Sequence, residues 1–265
     1  MSRILVIARN TFRENIRDKV LYNLILFALI MILSSLLIGQ LSLGNEVKII
    51  LDLGLASISI FGMLIAVFLG IGLVYKEIDK RTIFALLAKP VHRYEFILGK
   101  YLGLLYTLFV NVIVMAIGLE LAILYHGTVS WDGLLRLVPA VFLIFLSLAL
   151  VTAIALLFST FSTPALSALF TFFLWVIGHF SRDLLRFSEI SESGFVKWIC
   201  SIAYYVIPNL TIFKIVDSRY LMPDAAAVYR QADPVLIGST TLYCLLYCAV
   251  ILSLSVLIFL RRDFK

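Results

Sequence analysis

Apolar runs long enough to cross a lipid bilayer recur six times along this 265-residue chain, and no other feature constrains its fold as much. A helical crossing takes roughly 20 mostly apolar residues for about 30 Å of hydrocarbon, because lipid offers no partner to an unpaired backbone N–H or C=O. The runs fall at about 20–38, 53–75, 96–125, 134–157, 164–179 and 235–260. Hydrophobic residues make up 62% of the chain and charged residues 14%. Soluble domains carry about 45–50% and about 25%, so a soluble globular domain and a disordered chain are both excluded. Barrel strands alternate in polarity and give no long apolar runs, which disfavours a membrane β-barrel. The expected fold is an all-α membrane protein, 1–265 forming a single transmembrane domain of six helices. What remains between the runs leaves no room for a separate soluble enzyme domain. No internal repeat is present, and the charged first residues do not have the pattern of a cleavable leader.

The segments between the runs sort by charge. Residues 2–19 predict an amphipathic helix, with Leu5, Ala8, Phe12 and Ile16 in an apolar stripe and Arg9, Arg13 and Arg17 in a basic one. Such a helix lies in the bilayer interface with its Arg stems reaching for phosphates. It either anchors the first span or docks on a specific surface. Gly54, Gly62, Gly70 and Gly72 along the second run predict a closely packed face. Residues 181–234 form the largest non-spanning piece. Its apolar stretch 195–206 is short for a span, carries Lys197 and is broken by Pro208, which predicts an interfacial or re-entrant helix pair. If the N-terminus, residues 76–100, the 159–163 turn and the C-terminus share one side, that side holds 14 Lys and Arg and the other 8, six of these within 181–234. The positive-inside rule then puts both termini in the cytoplasm.

Enzyme motifs are missing. No G-x-x-x-x-G-K-[ST] loop is present to cradle a nucleotide phosphate, and no H-E-x-x-H. His92, His126 and His179 stand apart from one another. Cys244 and Cys248 share a helix face four residues apart, a spacing at which soft thiolates could hold Cu(I) and at which two small side chains simply pack. Glu120 falls inside the third run, where a carboxylate calls for a partner or a wet cavity. Glu120 and Arg136 lie eight residues on either side of residue 128, near the centre of the hairpin, so antiparallel helices put the two at one depth. They form either a salt bridge pinning the hairpin or part of a polar path. No metal or cofactor site is expected in this chain.

Residues 76–100 are too charged to span and too apolar for a plain loop. Ile83, Leu86 and Leu87 give a short helix one apolar ridge, and Pro90 ends it, since the residue before proline avoids the α region. Lys76, Lys80, Arg81, Lys89, Arg93 and Lys100 surround the ridge. Anionic lipid would explain the basic residues. A stiff ridge held between two spans with little slack fits better a groove on a cytoplasmic partner.

The run EIDKRTIFALLAKPVHRYEFILGKYLG resembles the signature of the ABC-2 type transporter permeases. The elements that match are Glu77, Thr82, Leu86–Leu87, Lys89–Pro90, Arg93 and Gly99–Lys100; Arg81 stands where many members carry Gly. The amphipathic start, the Ser/Thr-rich turn before the fifth run, the 204–210 stretch and the Arg-Arg-Asp-Phe end resemble the branch of permeases that serve multicopper-enzyme maturation. The resemblance implies a permease subunit of an ATP-binding cassette exporter in the bacterial inner membrane. It implies a homodimer with a second copy of the chain and two copies of a separate ABC ATPase that holds the ATP and Mg. Ile83 and the matching residues from Glu77 to Arg93 would couple to that ATPase. Residues 181–234 would form an extracytoplasmic hairpin at the outer gate, open to an accessory extracytoplasmic protein. Nucleic acid is not an expected partner. Two other readings stand beside it: a membrane-embedded enzyme, for which no catalytic cluster speaks, and an ATP-driven mechanical subunit that moves no substrate itself.

Overall fold

The computed structural model describes residues 3–40, 46–79, 92–126, 137–190, 194–214 and 234–261. Among these residues the chain is helical, with no strand. The helices are α1 (Arg3–Ile16), α2 (Lys19–Gln40), α3 (Glu46–Asp79), α4 (Arg93–His126), α5 (Leu137–Phe161), α6 (Pro164–His179), α7 (Ser181–Ile190), α8 (Gly194–Val206) and α9 (Pro234–Arg261), with a 3₁₀ turn at Leu210–Lys214. Five of them, α2, α3, α4, α5 and α9, are long and apolar enough to cross a membrane. α6 has the apolar composition but only 16 residues, about 24 Å of rise, short of the roughly 30 Å hydrocarbon thickness.

α5 is the hub. It touches α3, α4, α6, α9 and the 3₁₀ turn, and residues 146–156 are buried without interruption. A helix apolar on every side belongs inside a bundle, and Ser147, Ala149, Ala153 and Ala155 let its neighbours approach. α2 is peripheral: Leu21, Ala28, Ile32, Ser35 and Gly39 make its buried stripe, while Leu26, Phe27, Leu33 and Leu37 face outward.

Lipid supplies no hydrophobic drive between helices, so contact depends on close packing at small residues. α3 shows this along the predicted glycine face. A Cβ built at Gly54 would stand 2.2 Å from Leu119, at Gly62 2.4 Å from Leu148 and at Gly70 2.7 Å from the Ala155 Cβ. These contacts run α3 parallel to α5. The Tyr101 hydroxyl donates to the Ala149 carbonyl (3.2 Å) and lies 3.4 Å from Cys248 Sγ, which places α4 antiparallel to both α5 and α9. The alternation gathers the start of α1, residues 79 and 92, the 161–164 turn and residue 261 at one end of the bundle.

At the opposite end the chain folds back on itself. Pro164 occupies the first turn of α6 after an extended Thr163, as its fixed φ and missing N–H suit. α6 stops at Phe180, and α7 and α8 pack on each other in the place where the sequence predicts a helix pair. The chain then returns against Gly178, whose Cβ would meet Leu210 and the Pro208 carbonyl at 2.9 Å. Asn209 ties this return together. Its side-chain oxygen accepts from Ser181 Oγ (2.7 Å), Thr211 N (3.1 Å) and Thr211 Oγ1 (2.5 Å), and its N–H donates to the Tyr243 hydroxyl at 3.0 Å.

At Gly70 the opposing atom is a Cβ that cannot swing away. Gly70→Ala is therefore expected to lower stability by about 1–3 kcal/mol through overpacking. Gly238→Ala, with nothing within 4 Å, is expected to leave the melting temperature unchanged or raised, since Ala is the better helix former. Thermal unfolding of both variants in detergent checks the pair.

Candidate functional site

The start of α4, immediately after the 80–91 link, is fastened on two sides. The Glu95 carboxylate accepts from the His92 N–H at 3.0 Å, one half of a capping box. Arg93 turns to α9 and donates through Nη1 to the carbonyls of Phe259 (2.8 Å) and Leu260 (2.9 Å). A helix leaves its last four carbonyls without partners and a partial negative charge at that end, and the guanidinium answers both. Aromatic stacking reinforces the joint. Phe96 and Phe259 stack at 5.9 Å with an interplanar angle of 16°, the Arg93 guanidinium lies 5.9 Å over the Phe259 ring, and the Lys100 ammonium lies 5.6 Å over the Phe96 ring. Cations over aromatic faces are attracted by the ring quadrupole.

On the other side α1 runs parallel to α4 in one register. Arg3 meets Glu95 (3.9 Å), Ile7 covers Gly99, Thr11 covers Gly103 and Asn15 Nδ2 donates to Thr107 Oγ1 (3.2 Å). A Cβ at Gly99 would stand 2.7 Å from the Ile7 Cβ, and one at Gly103 would stand 2.6 Å from the Thr11 Cβ and 2.7 Å from the Ala8 carbonyl. The two glycines are four apart, so they open a groove into which the α1 backbone settles. The face of α1 that meets α4 is therefore not the expected apolar stripe. Leu5 of the expected apolar stripe is exposed, and the buried positions are Thr11 and Asn15. The groove decides this. Small residues on α4 accept medium-sized and polar side chains of α1, whereas Phe12 finds room only beside Tyr106, edge-on at 4.6 Å. Thr11 Oγ1 has no hydrogen-bond partner.

Lys100 completes the contact. Its side chain is 3% exposed, and Nζ lies 4.0 Å from Glu14 of α1, whose side chain is 41% exposed. A buried ammonium is costly unless paired. Sequence reasoning counted Lys100 among the basic residues around the ridge. The signal it left unused was Gly99 and Gly103 four apart, the mark of a docked helix.

Of the residues expected to couple to a partner, Arg93 alone is described with its side chain. Glu77 falls in the last turn of α3, with its side chain outside the described part. Arg81, Thr82, Ile83, Leu86, Leu87, Lys89 and Pro90 lie outside the described residues, as does Arg136.

Glu120 is half-buried beside an open cleft of about 260 Å³ between α4 and α5, otherwise lined by apolar side chains including Phe109, Ile117, Val141 and Phe145. Nineteen uncharged residues separate Lys100 from Glu120, about 28 Å of helix and close to the hydrocarbon thickness. Gly54 lies against Leu119, which brings the exposed Asp52 to about the same level.

Cys244 and Cys248 share a buried face of α9 with their sulfurs 4.0 Å apart, and the Cys244 thiol donates to the Leu146 carbonyl at 3.3 Å. Among the described residues no group of three metal-ligating side chains forms. Both side chains pack between α9 and its neighbours, with Cys248 also against the Tyr101 hydroxyl.

The model of a family described as ABC-2 family transporter protein matches residues 5–264. No curated protein matches the chain.

The double hydrogen bond from Arg93 is the tie between α4 and the last turn of α9. Arg93→Met is expected to cost about 1–2 kcal/mol. Amide exchange should quicken selectively in the last turn of α9, a pattern that hydrogen-exchange mass spectrometry resolves.

Proposed function

The chain belongs to the ABC-2 family of transporter proteins, and we propose that it is the membrane-spanning subunit of an exporter in which a separate ATPase binds residues 81–90. The observation that carries this reading is the placement of the joint around Arg93. α3 ends at Asp79 and α4 begins at Arg93, so the 80–91 link ties two spans together at the end of the bundle where α4 is fastened to α9 and to α1. A pull on that link is delivered to three helices at once.

The complex contains two copies of this chain and two ATPase subunits, and ATP and Mg are bound by the ATPases. The subunit sits in the bacterial inner membrane with both termini in the cytoplasm. Support comes from charge. With the termini, residues 76–100 and the 159–163 turn on one side, that side holds 14 of the 22 Lys and Arg, as the cytoplasmic side requires. Residues 181–234 then lie on the outer side. ATP binding closes the ATPase pair, and closure biases the spans toward one of two arrangements. A ligand shifts such an equilibrium only by its differential affinity for the two states, so the link needs a firm grip. Ile83, Leu86 and Leu87 supply an apolar ridge for it, and Glu77, Arg81, Thr82, Lys89, Pro90 and Arg93 complete its frame. In this reading the chain does no ATP chemistry.

Two outcomes test the assignment. Leu86→Asp is expected to leave membrane insertion intact and to abolish stimulation of ATP hydrolysis in the assembled complex; normal stimulation would end the coupling role of 81–90. Glu120 and Arg136 are read as the pin of the α4–α5 hairpin. Glu120→Gln should then lower the melting temperature and leave transport per folded complex unchanged, while loss of transport with unchanged stability would make the carboxylate part of a path.

A further inference from the structure

We propose that the cleft between α4 and α5 holds a phospholipid whose headgroup ends in a primary ammonium, with one acyl chain lying along the cleft and the ammonium held by Glu120. The site stands apart from the coupling role proposed for 81–90.

Three observations carry it. The first is the length and position of the cleft. α4 and α5 are joined by the Tyr101–Ala149 hydrogen bond and then by the Phe109 and Phe145 rings, which meet edge-on at 5.5 Å and 73°. From those rings the open cleft of about 260 Å³ runs along both helices to Glu120. Phe109 and Glu120 are eleven residues apart, about 16 Å of helix, which is half of the roughly 30 Å hydrocarbon thickness. The cleft is thus as long as one leaflet is deep. Because the residues from Lys100 to Glu120 span the full thickness, it lies in the leaflet on the Glu120 side, at the end of the bundle opposite the 80–91 link.

The second is the wall. Phe109, Ile113 and Ile117 of α4 and Val138 and Phe142 of α5 line the cleft and are exposed. Atoms along a groove gain dispersion only from what fills it. In a bilayer the nearest filler is an acyl chain, and a chain held at one end by its headgroup matches a groove closed at the other end by two rings.

The third is the charge. Glu120 is the charged member of this lining. It is half-buried, and among the described residues no hydrogen bond or ion pair joins it to another. A carboxylate at the edge of hydrocarbon calls for a cation. A primary ammonium brings a positive charge and three N–H donors, and hydrogen bonds between two ionised groups are the strong ones. The quaternary nitrogen of a choline headgroup has no N–H to give, and a headgroup with phosphate alone presents the same sign of charge as Glu120. A carboxylate accepts at two oxygens, so the ammonium leaves room for the hairpin pin proposed above.

The test uses the full chain purified in detergent. Native mass spectrometry follows the first lipid bound from an equimolar mixture of phosphatidylethanolamine and phosphatidylcholine with identical acyl chains. The native chain should favour the ethanolamine lipid about fivefold, as one charge-assisted hydrogen bond implies. Glu120→Gln should bring the two lipids to parity. Ile117→Trp, at an exposed position, should fill the cleft and lower occupancy by both. On the native chain, an ethanolamine lipid carrying a diazirine at the end of one acyl chain should cross-link within 109–117 or 138–145. Equal binding of the two lipids by the native chain, a preference that survives Glu120→Gln, or cross-links confined to other helices would each overturn the proposal. A lower melting temperature of Glu120→Gln with the preference intact would leave the carboxylate as the hairpin pin alone. Disulfide-linked pairs of chains formed through Ile117→Cys would assign the cleft to a second copy, which overturns the lipid site as well.

Discussion

Helices in lipid gain nothing from burying apolar surface against one another, because the solvent is already apolar. Every contact in this bundle therefore depends on backbones coming close enough for dispersion and hydrogen bonds to exceed what lipid offers. Two seams meet that demand. Along α3, Gly54, Gly62 and Gly70 receive Leu119, Leu148 and Ala155, which seats α3 in the angle between α4 and α5. Along α4, Gly99 and Gly103 receive α1. The first seam builds the interior. The second attaches a charged helix to the outside of the bundle, at the end where the chain between α3 and α4 crosses.

Polar groups inside the bundle follow the same constraint. The hydroxyls of Ser57, Thr107, Thr152, Thr171 and Ser255 each donate to a carbonyl on the preceding turn of their own helix, so they pack as small residues without asking a partner helix for an acceptor. Where polar groups do cross between elements they mark a fixed joint: Asn15 on Thr107, Tyr101 on Ala149, and Asn209 among Ser181, Thr211 and Tyr243. Those joints sit at the two ends of the bundle and at its centre. The long lipid-facing sides of α2 and α9 carry none between helices.

The apolar runs were the most legible part of the chain, because the requirement for about 20 residues per crossing acts on composition alone. The glycine face of α3 was legible for a related reason: small residues at helical spacing have few other uses in a span. The face of α1 that meets α4 was not. An apolar stripe predicts which face turns from water, yet α1 meets a groove shaped by Gly99, Gly103 and Thr107, and shape outweighs polarity there. Thr11 and Asn15 enter, and Leu5 stays out. The bounds of α6 were legible too, at 164–179, whereas the return of Pro208 and Leu210 against Gly178 was not.

Lys100 shows why the α1 contact is more than attachment. A lysine at the end of a span ordinarily extends its stem along the helix and places its ammonium among headgroups. Here α1 lies across that exit, and the side chain is enclosed between Phe96, the glycine groove and Glu14. The ammonium is drawn into the α1–α4 contact instead of reaching out along its own helix. The parallel register of α1 on α4 sets Glu14 beside it. The buried cation thus adds to a register that the Gly99 and Gly103 contacts and the Asn15–Thr107 hydrogen bond already set, one helix turn beyond Phe96.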